Sequence, residues 1–363
     1  MQAIKATASS YVYTRLIARF RNRTQSIQAT ANIATNATRI LAICDPMTWH
    51  NLSSETYATA LTPTNWRKTF ATTKPENSIL FCEAAWTGIG NQPWRGQIYQ
   101  DKRVRYNNRK YLLAILRHCK QHNIPTVFWA KEDPAYFKHP IYDFTDTALR
   151  FDYILSTCAE SVSQYKALGH TNAHLWRFSF SPRDYYPPKP ETPRHNQAVF
   201  AGSWFTDHPK RCEELTTIFD QVLAQGIELV IYDRNQTNAR STKPFPIKYQ
   251  SYVQNAVPYG NLGDIYRQSN FVININTVTD SPTMYARRVF EAMACGAIVI
   301  TNPAKGLVAE FGDNLWHMGH DFDQSNIETI RQHNIGTVFA RHTWQTRLTE
   351  LESILCKQLV SSD

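Results

Sequence analysis

The sequence predicts an α/β protein made of two domains, each built on an open parallel sheet. The 363 residues are enough for two domains of about 150 residues each. From residue 39 onward, short apolar runs alternate with helical stretches, the pattern of α/β units with parallel strands. The alternation stops at SPRDYYPPKPETPRHN (181–196), a proline-rich and polar segment, and then begins again. This segment predicts a linker, with the domain boundary near residue 190.

Strands buried on both faces appear in a sequence as continuous apolar runs. By this criterion the first half contains five predicted strands. They are RILAICD (39–45), SILFCEAAW (78–86), IPTVFWA (124–130), FDYILST (151–157) and NAHLWRF (172–178). Helices are predicted over 107–122 and 159–168, and Gly169 ends the second of them. The first domain is therefore assigned to residues 39–190.

The second half repeats this order and is assigned to residues 191–340. Its predicted strands are QAVFAGSW (197–204), IELVIYD (227–233), FVININ (271–276) and AIVIT (297–301). Helices are predicted over 208–225 and 261–269, and a C-terminal amphipathic helix falls within 341–363. In such sheets, ligands bind at the carboxyl ends of the strands, so a cleft between two Rossmann-like domains is the expected site.

Composition and charge narrow the range of partners. The net charge of +9 favours an acidic partner: a nucleotide sugar, an anionic polymer, an anionic membrane surface or nucleic acid. The basic residues do not cluster in an RNA-binding motif, which argues against nucleic acid. No run approaches the roughly 18 apolar residues of a membrane span. Seven cysteines without a CxxC pair, mostly in apolar runs, indicate buried free thiols in a reducing, cytoplasmic location.

Residues 1–38 are basic and rich in Ser, Thr and Ala, and contain no Asp or Glu. Three interpretations stay open for this segment. It could be a basic amphipathic helix on an anionic membrane, which would place the protein peripherally on the inner face of the membrane. It could be an organelle transit peptide, or a first helix packed on the first domain and followed by a linker. The segment lacks the apolar core of a secretory signal.

The segment 274–301 predicts a strand, a loop, a capped helix and a second strand. Ser281 can cap this helix, and Pro282 suits its first position, where a missing N–H is no loss. Gly296 ends the helix where a left-handed residue is needed. The apolar run AIVIT then follows as a strand.

The predicted helix carries Thr283, Arg287 and Glu291 on one face, at positions i, i+4 and i+8. Arg288 lies beside them. A helix N-terminus with two arginines suits a phosphate, and a carboxylate further along can accept hydrogen bonds from ribose hydroxyls. These residues predict a site for a nucleotide diphosphate that carries a sugar. The competing interpretation is an ordinary surface ion pair between Arg287 and Glu291.

Several segments resemble one protein family. DSPTMYARRVFEAMACGAIVIT (280–301) closely resembles the C-terminal donor-binding motif of CgeB-like (spore maturation protein) GT-B glycosyltransferases. The resemblance spans roughly residues 78–347 in order and leaves out 1–38. The further matching segments are FAGSW with HPKR downstream, VPYGNLGDIYRQSNFVININ (257–276), EAAWTGIGNQPW (83–94), FWAKEDPAYF (128–137) and FDYILSTCAESVSQYKALGH (151–170).

The resemblance implies a GT-B fold and a nucleotide-sugar donor, with no metal expected. The wider retaining group has two glutamates eight residues apart; Glu291 matches the second, which holds ribose, but Thr283 stands at the first. The motif therefore identifies the leaving group better than the sugar. The nucleobase is expected near Val257–Tyr259. The expected donor-binding residues are Gly202, Ser203, Arg211, Tyr259, Ser281, Thr283, Met284, Arg287, Arg288 and Glu291.

Charged residues in the first half suggest the acceptor side of the cleft. Lys131, Glu132 and Asp133 directly follow a predicted strand, so either carboxylate could act as general base on an acceptor hydroxyl. A turn held by the next proline is the alternative. Glu83 ends another strand just before a loop that begins with Trp86, which suggests an acceptor-side wall. Trp86 could stack on a sugar ring or fill the core.

The leading hypothesis is a cytoplasmic glycosyltransferase that moves a sugar from a nucleotide sugar to an acceptor hydroxyl. Arg287 and Arg288, with the helix start at Thr283–Met284, would stabilise the departing diphosphate. Lys210 and Arg211 could reach the same charge or could form a solvated helix start. The acceptor would be a glycan or a lipid-linked glycan of a cell-surface polysaccharide or glycoconjugate. The alternatives are a related phosphate-polymer transferase, a sugar-nucleotide epimerase, or a catalytically silent basic scaffold.

Overall fold

A computed structural model describes residues 38–235 and 244–360. The expectations for the basic N-terminal segment fall on residues 1–37 and so lie outside the described residues. The described chain forms two six-stranded sheets whose strands all run parallel, plus one short antiparallel pair. This architecture confirms the predicted α/β fold.

The first sheet has the strand order β2-β1-β3-β5-β7-β8, and β4 pairs with β6 beside it. The strands are β1 (Arg39–Ile43), β2 (Ala58–Ala60), β3 (Ser78–Glu83), β4 (Gln100–Asp101), β5 (Thr126–Ala130), β6 (Tyr142–Asp143), β7 (Tyr153–Ser156) and β8 (Ala173–Leu175). The helices are α1 (Pro46–Glu55), α2 (Trp66–Ala71), α3 (Lys110–Gln121), α4 (Phe144–Ala148) and α5 (Ala159–Ala167). All five predicted strands are present. The strands β2, β4 and β6 and the helices α1, α2 and α4 are additions that the sequence pattern did not indicate.

The second sheet has the order β11-β10-β9-β12-β13-β14. Its strands are β9 (His195–Gly202), β10 (Glu228–Asp233), β11 (Val253–Asn255), β12 (Ser269–Asn274), β13 (Ile298–Thr301) and β14 (Trp316–His317). The helices that follow are α6 (Pro209–Ala224), α7 (Leu262–Gln268), α8 (Arg288–Ala294), α9 (Lys305–Phe311), α10 (Ile327–Arg341) and α11 (Trp344–Val360). Order reverses between β9 and β12, which places a switch point at the carboxyl ends of these two strands.

The C-terminal helix α11 packs on the first domain, although it follows the second in the chain. Its Trp344, Leu348 and Leu351 are buried in a core shared with strands β1, β3, β5 and β7. The indole Nε1 of Trp176 also donates to the carbonyl of Arg347, at 3.0 Å. The first domain therefore completes its core with the end of the chain.

The chain crosses between the domains twice, and the two crossings touch. Phe180 in the first crossing and Thr343 in the second form a parallel β-bridge. The Phe180 N–H donates to the His342 carbonyl, and the Trp344 N–H donates to the Phe180 carbonyl, both at 3.0 Å. The two crossings are thus held together by backbone hydrogen bonds.

The predicted helix start at Ser281 and Pro282 is wrong, because α8 begins at Arg288. Side chains take the backbone donors of the preceding segment. The N–H groups of Thr283 and Met284 point to the Ser281 Oγ at 3.4 and 3.3 Å. Such side-chain bonds compete with helix formation. The ending was predicted correctly, since Gly296 has a φ of 73°.

Two predictions from composition can be compared with the described residues. Six of the seven cysteines are buried free thiols, as predicted, whereas Cys356 is exposed. In residues 38–235 and 244–360, no helix combines the length and the apolar character needed to cross a membrane.

Candidate functional site

The loop between β12 and α8 touches the first domain. The Thr283 Oγ1 accepts from the Ala159 N–H at 3.0 Å and donates to the Thr157 carbonyl at 3.2 Å. The Ser281 Oγ donates to Glu160 Oε2 at 2.9 Å. Both hydroxyls, predicted to bind the nucleotide sugar, are thus used to hold the start of α5 in this structure.

A second contact between the domains covers Glu291. Helix α1 of the first domain brings Asn51, whose Nδ2 donates to the Tyr259 hydroxyl at 3.2 Å. That hydroxyl donates to Glu291 Oε1 at 2.7 Å, and Arg287 forms an ion pair with the same oxygen. Arg287 also contacts Met47 of α1. The structure therefore brings Tyr259, Arg287 and Glu291 together, within a network that includes α1.

Three arginines meet where β9, β10 and β12 end; we call Arg211, Arg234 and Arg288 the anion cluster. The pKa of Arg211 is lowered to about 10, mainly by burial and also by repulsion from Arg288 and Arg234. The pKa of Arg234 is also lowered, by burial and then by Arg288 and Arg287. These shifts mean that positive charges are held close together without enough negative charge to balance them. Such a group favours an anion.

Backbone carbonyls hold two members of the anion cluster in place. Arg211 Nη1 donates to the Ser203 carbonyl at 3.3 Å. Arg288 Nη1 donates to the Ile273 carbonyl at 3.3 Å, and its Nη2 donates to that of Ala201. These bonds fix the guanidinium groups of Arg211 and Arg288 at the switch point, and within residues 38–235 and 244–360 neither forms an ion pair with a carboxylate. A preorganised cationic site of this kind suits a diphosphate.

Arg234 was missed by the sequence reasoning. It directly follows Asp233, the last residue of β10. Carboxyl ends of parallel strands meet at one edge of a sheet, so a cation immediately after the IELVIYD run was the available signal. The two neighbouring cations that the sequence pointed to differ in exposure. Arg211 is buried, whereas the side chain of Lys210 is 80% exposed.

Gly202 is required by packing as well as by any ligand. A Cβ at this position would lie 2.7 Å from the Phe200 ring. Ser203 next to it is buried, with its carbonyl bound to Arg211. The turn after β9 thus has no room for a side chain at position 202, and it supports the anion cluster through the Ser203 carbonyl.

Glu83 and Lys131 belong to a largely buried network of hydrogen bonds and ion pairs in the first domain. Glu83 is fully buried; its carboxylate accepts from the Asp45 N–H and the Thr48 Oγ1, both at 2.5 Å. Lys131 Nζ lies 3.2 Å from Glu83 and 3.3 Å from Asp45. Burial raises the pKa of Glu83. These contacts tie the ends of β1, β3 and β5 to the start of α1, so both residues position the helix that covers Glu291.

Trp86 packs in an aromatic group rather than standing alone in the cleft. Its ring centroid lies 4.9 Å from that of Tyr136 and 5.2 Å from that of Phe144. The Trp86 N–H donates to Asp45 Oδ2 at 2.9 Å. Of the two interpretations that the sequence left open, this packing favours the core filler.

The two adjacent carboxylates Glu132 and Asp133 differ in access. Asp133 is 2% exposed and accepts from the Ser156 Oγ at 2.7 Å. The side chain of Glu132 is 27% exposed, and its Oε1 lies 3.8 Å from Lys131 Nζ. Burial raises the pKa of both groups, that of Asp133 to about 7. Of these two carboxylates, only Glu132 combines a raised pKa with partial exposure to solvent, which favours it as a general base.

The buried Asp133 predicts a pH dependence of stability. Its folded pKa of about 7 exceeds the usual 3.8, so the folded state binds the proton more tightly than the unfolded state. Wild-type stability should therefore fall, relative to Asp133→Asn, as pH rises from about 4 to 7, by at most about 1.4 kcal/mol per unit. Denaturant unfolding of both proteins across this range measures the difference. A difference that does not vary with pH would show that Asp133 ionises normally.

The sequence and the fold are both similar to those of known proteins. Residues 228–353 match the family model described as glycosyl transferase-like. No curated protein is similar enough in sequence to count as a relative. Among solved structures, Anabaena Alr3699/HepE in complex with UDP-glucose is similar over 85% of this chain and 87% of that chain, with 14% identity and a TM-score of 0.51.

Two further solved structures are similar. A glycosyltransferase from Rickettsia africae matches over 90% of this chain and 99% of that chain, with 10% identity and a TM-score of 0.53. Sucrose-phosphate synthase from Thermosynechococcus elongatus matches over 83% and 78%, with 13% identity and a TM-score of 0.51. These likenesses show the GT-B fold, and the family match identifies a glycosyl transferase-like region in the second domain.

Proposed function

We propose that the protein is a glycosyltransferase that moves a sugar from a nucleotide-diphosphate sugar to an acceptor hydroxyl. The anion cluster is the observation that carries this proposal. Its three guanidinium groups lie at the switch point of the second domain, where a ligand is expected in an open α/β sheet. The solved structure of Anabaena Alr3699/HepE contains UDP-glucose, which supports a donor of this class.

The anion cluster would act on the leaving group. Breaking the bond between the sugar and the diphosphate places growing negative charge on the phosphate oxygens. Fixed cations in a cleft stabilise that charge without having to reorganise, which is the strongest single means of catalysis. Arg211 and Arg288 are fixed by the Ser203, Ile273 and Ala201 carbonyls. The arginines themselves supply this charge, so we propose that no metal is needed.

Glu291 would hold the ribose, and Tyr259 would lie beside the nucleobase. The hydrogen bonds to Glu291 among described residues end on Oε1. The second carboxylate oxygen is thus the natural acceptor for a ribose hydroxyl. Next to that position lies the aromatic ring of Tyr259, and the guanidinium carbon of Arg287 is 5.0 Å from the centroid of this ring.

Glu132 would accept the proton of the attacking hydroxyl. Its partial exposure and raised pKa suit this task better than the burial of Asp133. We place the chain in the CgeB-like group, with a glycan or lipid-linked acceptor in cell-surface polysaccharide or glycoconjugate synthesis. The predicted cytoplasmic location, with peripheral contact to an anionic membrane, is part of the same proposal.

The proposal is tested with a panel of nucleotides. The thermal midpoint is measured with UDP, GDP, ADP, TDP and CMP and with their sugar conjugates, because a ligand that binds the folded state raises it. We expect one base to stabilise the protein both as the free nucleotide and as the sugar conjugate, with slow release of free sugar from the conjugate. No shift and no hydrolysis across the panel would overturn the proposal. Conversion of the nucleotide sugar to its epimer would instead identify an epimerase.

A further inference from the structure

We infer that Glu214 binds hydroxyl groups of the sugar on the nucleotide-sugar donor and so selects that sugar. The inference rests on the proposed function and deepens it. Glu214 lies on α6, one turn beyond Arg211 of the anion cluster. The two residues therefore place a carboxylate next to the site of the diphosphate.

Glu214 and Arg211 of the anion cluster line the same small cavity. It has a volume of about 220 Å³ and lies between the start of α6 and the loop that follows β12. Whole-ligand pockets are typically roughly 300–1,000 Å³, so this space suits one sugar ring rather than a nucleotide. Its walls include Lys210, Arg211 and Glu214 on one side and Asn276 and Thr279 on the other.

The carboxylate of Glu214 is held in one orientation. Asn302 Nδ2 donates to Glu214 Oε2 at 2.8 Å. Asn302 is itself fixed, because its Oδ1 accepts from the Asn276 N–H at 2.8 Å and its Nδ2 donates to the Asn276 carbonyl at 3.0 Å. Oε1 has a long contact of 4.0 Å with Lys210 Nζ. One oxygen is thus anchored to Asn302, which directly follows β13, and the other lies near the cation of Lys210, which also lines the cavity.

Thr283 is not among the residues that line this cavity. The hydroxyl of Thr283 is engaged with Thr157 and Ala159 of the first domain, so it does not reach into the cavity. A fixed carboxylate accepts hydrogen bonds from sugar hydroxyls, and it strongly rejects analogues that lack them. The sugar class is therefore one with free hydroxyls on the side of the ring that faces α6.

The substitution Glu214→Gln tests the inference, because the glutamine carbonyl can still accept from Asn302 while the charge is lost. The affinities of wild type and variant are measured by calorimetry for UDP and UDP-glucose, or for the equivalent pair of the base that binds in the panel. We expect the variant to bind the sugar conjugate at least tenfold more weakly and the free diphosphate unchanged. Glu213→Gln, on the exposed side of the same helix, serves as the matched control and should change neither affinity.

Three outcomes would count against the inference. If the variant binds the sugar conjugate as well as wild type, Glu214 does not contact the sugar, although the proposed function stands. If both ligands weaken equally, the residue acts only by supporting the loop through Asn302, and the inference is again overturned. If wild type binds no nucleotide at all, the proposed function fails and the inference fails with it.

Discussion

Replacing Arg211 with glutamine is expected to weaken the binding of a nucleoside diphosphate by roughly 10- to 100-fold. A hydrogen bond to a charged group contributes about 1.5–3 kcal/mol, and about 1.4 kcal/mol corresponds to a factor of ten. The same change should leave the thermal midpoint of the unliganded protein unchanged or higher. Arg211 is buried, its pKa is lowered to about 10, and it is repelled by two neighbours. Its charge therefore costs stability until an anion binds.

Calorimetry with the diphosphate and thermal unfolding without it measure the two effects. Lys210→Gln is the matched control, since Lys210 is the adjacent residue and its side chain is 80% exposed. It should change binding much less than Arg211→Gln. An Arg211→Gln protein that melts several degrees lower yet binds the diphosphate normally would show that the arginine is structural. That result would remove the anion cluster as the basis of the proposed function.

Replacing Glu291 with glutamine should both destabilise the protein and weaken nucleotide binding. Glu291 is 2% exposed and pairs with Arg287, so its loss leaves a poorly compensated guanidinium. Breaking a buried pair from one side costs about 3–5 kcal/mol. For a protein of this size we expect the thermal midpoint to fall by several degrees. Affinity for a nucleoside diphosphate should fall as well, because the ribose loses its acceptor.

The double variant Glu291→Gln, Arg287→Gln separates these two effects. Removal of both charges should restore much of the stability, since no uncompensated ion remains. The affinity for the diphosphate should not recover. Thermal unfolding and calorimetry on all four members of the cycle provide the test. Wild-type affinity in the double variant would mean that Glu291 serves only to balance Arg287.

The fold followed from local pattern, because buried parallel strands leave long apolar runs that sequence alone reveals. The strands RILAI and TVFWA are examples, fully or almost fully buried. β2 was missed because it has only three residues, Ala58–Ala60, which none of the usual signals marks. Helix α1 was missed because its apolar residues do not repeat at a helical period.

The residues of the candidate site were easiest to group from sequence where they share one short segment. Arg287, Arg288 and Glu291 come together because they are adjacent in sequence. Arg234 directly follows strand β10 and Asn51 lies in the first domain, so their approach depends on topology and on domain contact. The helix start failed for a local reason: Ser281 and Asn276 capture the N–H groups of the segment, and Asn276 Oδ1 accepts from the Ala286 N–H at 3.0 Å.

The paired crossings at Phe180 and Thr343 determine how the cleft can open. Two backbone segments joined side by side resist twisting more than one segment would. We therefore expect the domains to rotate relative to each other about this pair of segments, which would act as the hinge. Because Trp344 lies in the core of the first domain, neither half of the protein can be cut out at the linker and remain complete.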